Sequence, residues 1–388
     1  MRPDQPCSGS GGFVGGNFNN VAAGYASGVL SGGQNYACDS YTAISGGISN
    51  VISPASSLSV QYAAIGAGED NTINGNGNAA FIGGGGSNSV NATAGFIGAG
   101  SGNFINQNGA TNGAYAAVIG GGYQNVVGAS GANIAGYGAI GGGSYNQVDG
   151  QDGTVGGGNR NGANATYSSV LGGSANVASG TGSMVPGGSN NTAAGFTSLA
   201  AGYHAYAATG AFVWSDDSSS AITKSTATNQ FLARVAGGVT FWTNSAMTTG
   251  VKVAAGGGSW SSASDRNLKT AYRSIDADDV LDKVSLLPIG TWSYISEPGV
   301  RHVGPMAQDF YAAFGVGEDN RHITTIDEDG IALAAIQALH RENLGLRREN
   351  LGLRHANTSL SQQLAALRNQ QFADHRQLER FIAAMAKK

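Results

Sequence analysis

The sequence predicts a mainly β repeat solenoid, then a short β neck, then a small α+β unit ending in a coiled-coil helix. Three observations carry that expectation: a break in composition at Ser264, a glycine and asparagine repeat before it, and a leucine heptad after it. Residues 1–263 hold 56 glycines and 13 charged side chains, whereas residues 264–388 hold 8 glycines and 31 charges. Glycine weakens helices and strands alike, so a helical bundle or doubly wound core is excluded from the first part. Only 7 prolines and no glycine at every third position exclude a collagen helix as well. Apolar residues recur throughout, which argues against disorder and leaves a stacked repeat.

The repeat is an apolar residue, two spacers, Gly, two spacers, Asn, one spacer, then a small or apolar residue. It runs as Ile44…Gly47…Asn50…Ile52, Ile65…Gly68…Asn71…Ile73 and Ile82…Gly85…Asn88…Val90, and continues at Ile97, Ile119, Ile140, Val155, Val170 and Val185. Degenerate copies lie around Gly16 and Asn19, around Gly33, and around Leu199 and Gly202. A period of 14–22 residues suits one coil with two short strands and two turns, apolar residues inward and glycine supplying positive φ. Asparagine at one point of every coil is placed to stack its amide on the next, as in laddered β structures. At about 4.8 Å per coil, roughly a dozen copies would extend about 55 Å. A narrow coil buries little, so lateral association is expected too. The variable spacing reads as loops of different length on one face.

These residues exclude several functions. A net charge of −4 argues against nucleic acid as a partner. No run of about 18 apolar residues exists to insert into a membrane. With so much glycine, a match such as Gly98-Ala-Gly100-Ser-Gly102 says nothing about phosphate binding. Six acidic residues in the first 210 are too few for calcium in each coil or for the paired carboxylates of a glycan-cleaving enzyme. No metal or cofactor is expected. Met-Arg-Pro-Asp-Gln-Pro has no apolar run behind it, so either the chain is used without secretion or a signal has been removed. Cys7 and Cys38 could pair after export but make no disulfide framework.

Leu199-Ala-Ala-Gly-Tyr-His-Ala-Tyr-Ala-Ala-Thr-Gly-Ala-Phe-Val-Trp-Ser-Asp216 and the repeats before it resemble the heads of YadA-like trimeric adhesins. The resemblance covers about residues 13–216 and implies a left-handed parallel β-roll assembled as a trimer. The adhesins' membrane anchor has no counterpart in this sequence. The expected division is a leader at 1–12, head repeats at 13–211 and a neck at 212–263. In the neck, Gln230–Ala236 and Gly238–Thr243 read as strands flanking a turn at Gly237, with Val251–Ala254 after them. Gly256–Ala263 reads as a flexible, exposed approach to Ser264.

Ser264 and Lys269 stand five residues apart at the seam, and a Ser–Lys pair is one way to activate a hydroxyl without histidine. Beyond them, Asp276–Val284 and Met306–Phe314 read as helices, the second stopped by Gly315, and Ile289–Ile295 reads as a strand. Ser264-Asp-Arg-Asn-Leu-Lys269, Leu287-Pro-Ile-Gly-Thr-Trp-Ser-Tyr294, His302-Val-Gly-Pro-Met-Ala-Gln-Asp-Phe310 and Thr325-Ile-Asp-Glu-Asp-Gly-Ile-Ala-Leu-Ala-Ala-Ile-Gln-Ala-Leu339 occur in that order. Together they resemble the endosialidase-type intramolecular chaperone of phage tail fibres and spikes. The resemblance implies a domain at 264–330 that trimerises, helps the preceding β fibre fold, and cuts itself off before the serine of its SDxxxK motif. Ser264 and Lys269 would then be the catalytic dyad, and Ala263–Ser264 the bond cut. A partly buried lysine at a trimer interface would be easier to neutralise. Asp265, His302, Gln308 and Asp309 would support the dyad or, equally, pack the small domain.

From residue 331 a heptad places Leu339, Leu346, Leu353, Leu360 and Leu367 at d, and Ile336, Asn343, Asn350, Asn357 and Leu364 at a. Asparagine at a lowers stability but fixes register, as a device aligning three identical chains requires. The expected whole is a homotrimeric fibre with a single-turnover serine peptidase at its C-terminal end. It would bind a host-cell receptor, glycan or protein, from a virion tail fibre. The rival reading is a secreted or cell-surface adhesin or filament carrying the same module.

Overall fold

The computed structural model describes residues 7, 11–16, 18–53, 60–106, 114–128 and 135–386. They form two compact units, 1–263 and 264–388. Most of the leader falls outside the described residues.

The first unit is a parallel β-solenoid of about 13 turns. Each coil gives one strand of two to five residues to each of two sheets. One sheet runs from Phe13–Val14 through Ala43–Ile44 and Phe96–Ile97 to Phe231–Arg234, and the other from Val21–Ala22 through Val51–Ser53 to Thr223–Lys224. Every pairing within these two sheets is parallel and in register, so Ile44 sits beside Ile65 and Ile52 beside Ile73. The core is therefore two columns of side chains, one from each sheet. Ile44, Ile65, Ile82, Ile97, Ile119, Ile140, Val155, Val170 and Val185 face Ile52, Ile73, Val90, Ile105, Val127, Val148, Ala163, Ala178 and Ala193, all at 0–1% exposure. These are the apolar positions of the repeat.

The asparagines make a continuous hydrogen-bonded ladder. The backbone N–H and Nδ2 of Asn103 both donate to Oδ1 of Asn88, at 3.0 Å each. Nδ2 donates further to the carbonyls of Ala99 and Gly122, at 3.2 and 2.9 Å. Oδ1 of Asn103 in turn accepts from the N–H and Nδ2 of Asn125. The same pattern starts at Asn20, one residue from the degenerate copy read at Asn19, and ends where Ala205 N–H donates to Asn191 Oδ1. Each amide closes a turn that would otherwise bury unpaired carbonyls.

Glycine is required beside the ladder. Gly85 has φ +93°, and a Cβ there would lie 2.0 Å from the Gly100 carbonyl oxygen of the next coil. Positive φ is not confined to glycine, however: Tyr41, Ser49, Asp70 and Ala94 also adopt it. Their N–H groups donate to carbonyls one coil back, as Ser49 does to Gly33 and Asp70 to Ile48, which holds an unfavourable conformation in place.

Asn103→Asp should lower stability by about 3–5 kcal/mol, because it replaces a donor facing two carbonyls with a buried anion. The denaturant midpoint of the first unit reports the loss. An unchanged midpoint would mean that the ladder is not a main source of stability.

The solenoid continues beyond residue 211. Phe212–Ser215 and Phe231–Arg234 add to the first sheet in parallel, so the two strands read on either side of a turn at Gly237 are present but belong to different sheets. Arg234 closes the last coil, donating to the Asp216 carboxylate and to the carbonyls of Asp216, Ser219 and Ala221. The Ser218 hydroxyl, the Ala236 N–H and Arg234 hold the Asp216 carboxyl down to about 2. The neck is instead a three-stranded antiparallel sheet of Val239–Trp242, Gly250–Val253 and Ser261–Ser262. At the other end, Cys7 and Cys38 form a disulfide.

The second unit packs α1 (Ala277–Leu286) and α2 (Ala307–Phe314) against the start of α3 (Thr325–Met385), beside a hairpin of Gly290–Trp292 and His302–Gly304. Asp276 caps α1 through its carboxylate, and Gly315 ends α2 in the left-handed region. α3 begins at a Thr324 cap, six residues before the expected boundary at 331. Its first turns, with Ile331, Ala334, Ala335 and Ala338, complete a core with Ala277, Val280 and Phe310, so the helix belongs to this unit. Among the described residues no helix is long and apolar enough to cross a membrane.

Candidate self-cleavage site

Ser-Asp-Arg-Asn-Leu-Lys folds as a single tight turn. Asp265 caps it: its carboxylate accepts from the Asn267 N–H at 2.9 Å and the Asn267 Nδ2 at 3.1 Å. Arg266–Leu268 form one 3₁₀ turn, and the Lys269 N–H closes it on the Arg266 carbonyl. A five-residue separation thereby becomes contact. Lys269 Nζ donates to Ser264 Oγ over 2.7 Å, with both residues exposed. Serine and lysine five apart are common, and the capped turn is what distinguishes this pair.

The remaining candidates lie elsewhere in the unit. His302 stacks on Trp292 at 4.7 Å and meets the edge of Tyr294 at 5.6 Å. Its Nε2 and the Trp292 Nε1 are buried without a hydrogen-bond partner. Gln308 lines a groove of about 400 Å³ with Trp292, Tyr294 and Arg321. Asp309 is exposed on the first turn of α2. No hydrogen bond or ion pair joins His302, Gln308 or Asp309 to Ser264 or Lys269. Asp265 therefore shapes the turn that holds the pair, while His302 lies in an aromatic hairpin, Gln308 lines the groove beside it and Asp309 faces solvent. That hairpin grouping was not anticipated, although Trp292, Tyr294 and His302 each fall in a quoted motif.

Ala263 precedes the turn and donates its N–H to the Gly250 carbonyl at 3.2 Å. The approach is exposed, but its last part is an edge strand of the neck, not a free loop. Along α3, Ile336, Leu339, Leu346, Leu353, Leu360, Leu364 and Leu367 are each about half exposed or more, with Asn343, Asn350 and Asn357 exposed between them. Among the described residues there is no cluster that could hold a metal ion.

Residues 264–316 match the model of the peptidase family Peptidase_S74, described as chaperone of endosialidase. No curated protein matches the chain. The match begins at Ser264, the residue at which the chain divides into its two units. The family implies self-cleaving peptidase activity, and the turn at its start holds a hydroxyl and an amine in contact. Residues 264–316 are thus similar to the chaperone-of-endosialidase family, and in sequence they follow a parallel β-solenoid.

Proposed function

We propose that this protein is a homotrimeric fibre whose second unit aligns three chains, lets the solenoid wind, and then removes itself by cutting Ala263–Ser264. The observation that carries the reading is the 2.7 Å contact between Lys269 Nζ and Ser264 Oγ at the first residue of the family match. In the reaction Lys269, once neutral, takes the hydroxyl proton and Oγ attacks the Ala263 carbonyl carbon. Because Ser264 is the next residue, attack closes a five-membered ring. The C–N bond breaks, the proton passes to the Ser264 nitrogen, and an ester remains. Water hydrolyses the ester, leaving an Ala263 carboxylate and a free Ser264 N-terminus.

Association is supported by what each unit leaves uncovered. Among the described residues the second unit's core has seven buried apolar residues, while Leu286, Ile289 and Ile295 are more than half exposed. A core that small rarely sustains 125 residues alone. On the solenoid, the outward positions of the first sheet, from Phe13 through Phe81, Phe96 and Phe212 to Phe231, carry no charged side chain. An apolar, uncharged face of that length fits packing against copies of itself.

The released rod would bind a host-cell surface from a phage tail fibre. The Cys7–Cys38 disulfide favours the second reading, a bacterial surface adhesin or filament, since such bonds persist in oxidising compartments.

Lys269→Ala tests the dyad. It removes the base and no large apolar surface, so the variant should remain one uncleaved chain that still elutes as a trimer by light scattering. Loss of both trimer and cleavage would make Lys269 a structural residue and overturn its role as base.

A further inference from the structure

The residue on the amino side of the proposed cut is held by the neck sheet. Ser261–Ser262 pair antiparallel with Gly250–Val253, with Val251 opposite Ser262 and Lys252 opposite Ser261. The ladder ends at Ala263, whose N–H donates to the Gly250 carbonyl at 3.2 Å. Ser261 adds a side-chain bond, from its hydroxyl to the Lys252 carbonyl at 3.2 Å. Gly250 is constrained from the other side: a Cβ there would lie 2.1 Å from the Phe241 carbonyl oxygen, so a larger residue would push the central strand off its neighbour. The central strand thus pairs with Val239–Trp242 on one side and with Ser261–Ser262 on the other.

We infer that the neck sheet is a positioning element for self-cleavage, presenting the Ala263 carbonyl in an extended conformation only once its three strands have paired. Release of the second unit is thereby tied to completion of the last β element before the cut. Premature cutting of an unwound chain is disfavoured because the bond is not yet held. This rests on Ala263–Ser264 being the bond cut.

Strand alternation supplies a sharp test. The Ala263 N–H points at the central strand, so the Ser261 N–H does too, and the Ser262 N–H points away. In the uncleaved Ser264→Ala chain, the Ala263 amide should exchange roughly tenfold or more slowly than the Ser262 amide. Equal exchange would overturn the inference without any change to the neck. Ser261→Pro removes a ladder donor and should slow cleavage by about tenfold or more, whereas Ser259→Pro, outside the ladder, should not. The rate–pH curve of Ser261→Pro should keep its midpoint and lose only its plateau, since Lys269 is untouched. Parental rates in Ser261→Pro, equal slowing in both proline variants, or a displaced midpoint would each sink the positioning role. Intact-mass analysis of the parent stands apart: a cut elsewhere would refute the assigned bond, not the pairing of the strand.

Discussion

Ser264→Ala should leave a single chain of 388 residues where the parent should yield fragments of 263 and 125. The effect should be close to all-or-none because, on the proposed mechanism, the hydroxyl forms the covalent intermediate. Water acting unaided on a peptide bond is slower by many orders of magnitude. The variant should fold like the parent, since Ser264 is exposed and its recorded side-chain bond is the one from Lys269. Intact mass and a denaturing gel read the result directly. Undiminished cleavage in the variant, or a parental cut at another bond, would remove Ser264 from the mechanism.

The solenoid was legible because its physics repeats. When each coil puts an isoleucine, a glycine and an asparagine in equivalent places, as at Ile44, Gly47 and Asn50, one correct register fixes the rest. Where that triplet stops, the pattern is silent. Phe212–Ser215 and Phe231–Arg234 are longer strands without the glycine and asparagine turn, and read as neck although they continue the first sheet. Left-handed Tyr41 and Ala94 carry no sequence signal, because their backbone is held by bonds to the previous coil. The start of α3 was readable in principle from Thr324 followed by Asp327, which cap each other. The edge strand Ser261–Ser262 was not, since two serines after a glycine run have low strand propensity and are held by Gly250–Val253. At the site, the Ser264–Lys269 contact follows from the Asp265 cap, whereas the stacking of His302 on Trp292 depends on a hairpin whose pairing the sequence does not encode locally.

Stopping the gene after Ala263 should give mostly insoluble or monomeric material, whereas the same 263 residues released by self-cleavage should form a soluble trimer resistant to protease and mild detergent. The argument starts from the pairing. Every strand of the solenoid bonds to a strand one coil away, typically about 15 residues along the chain, and coils such as Ala43–Ile44 to Ala64–Ile65 must close larger loops. Such parallel pairing is slow to nucleate, and each unfinished coil exposes an unpaired edge and an apolar row. The leucine heptad of α3 is local in sequence and nucleates early. Joining three chains there would raise their effective concentration and set a common register for winding. The Ile and Val columns are buried within the solenoid itself and would not depend on α3 once wound, so a high barrier to unwinding should preserve a trimer after the second unit leaves. Co-expressing residues 264–388 as a separate chain should not rescue the truncated rod, because the benefit comes from covalent tethering. If the truncated gene gives the same resistant trimer in similar yield, the second unit is not a folding chaperone for this solenoid, whatever its peptidase does.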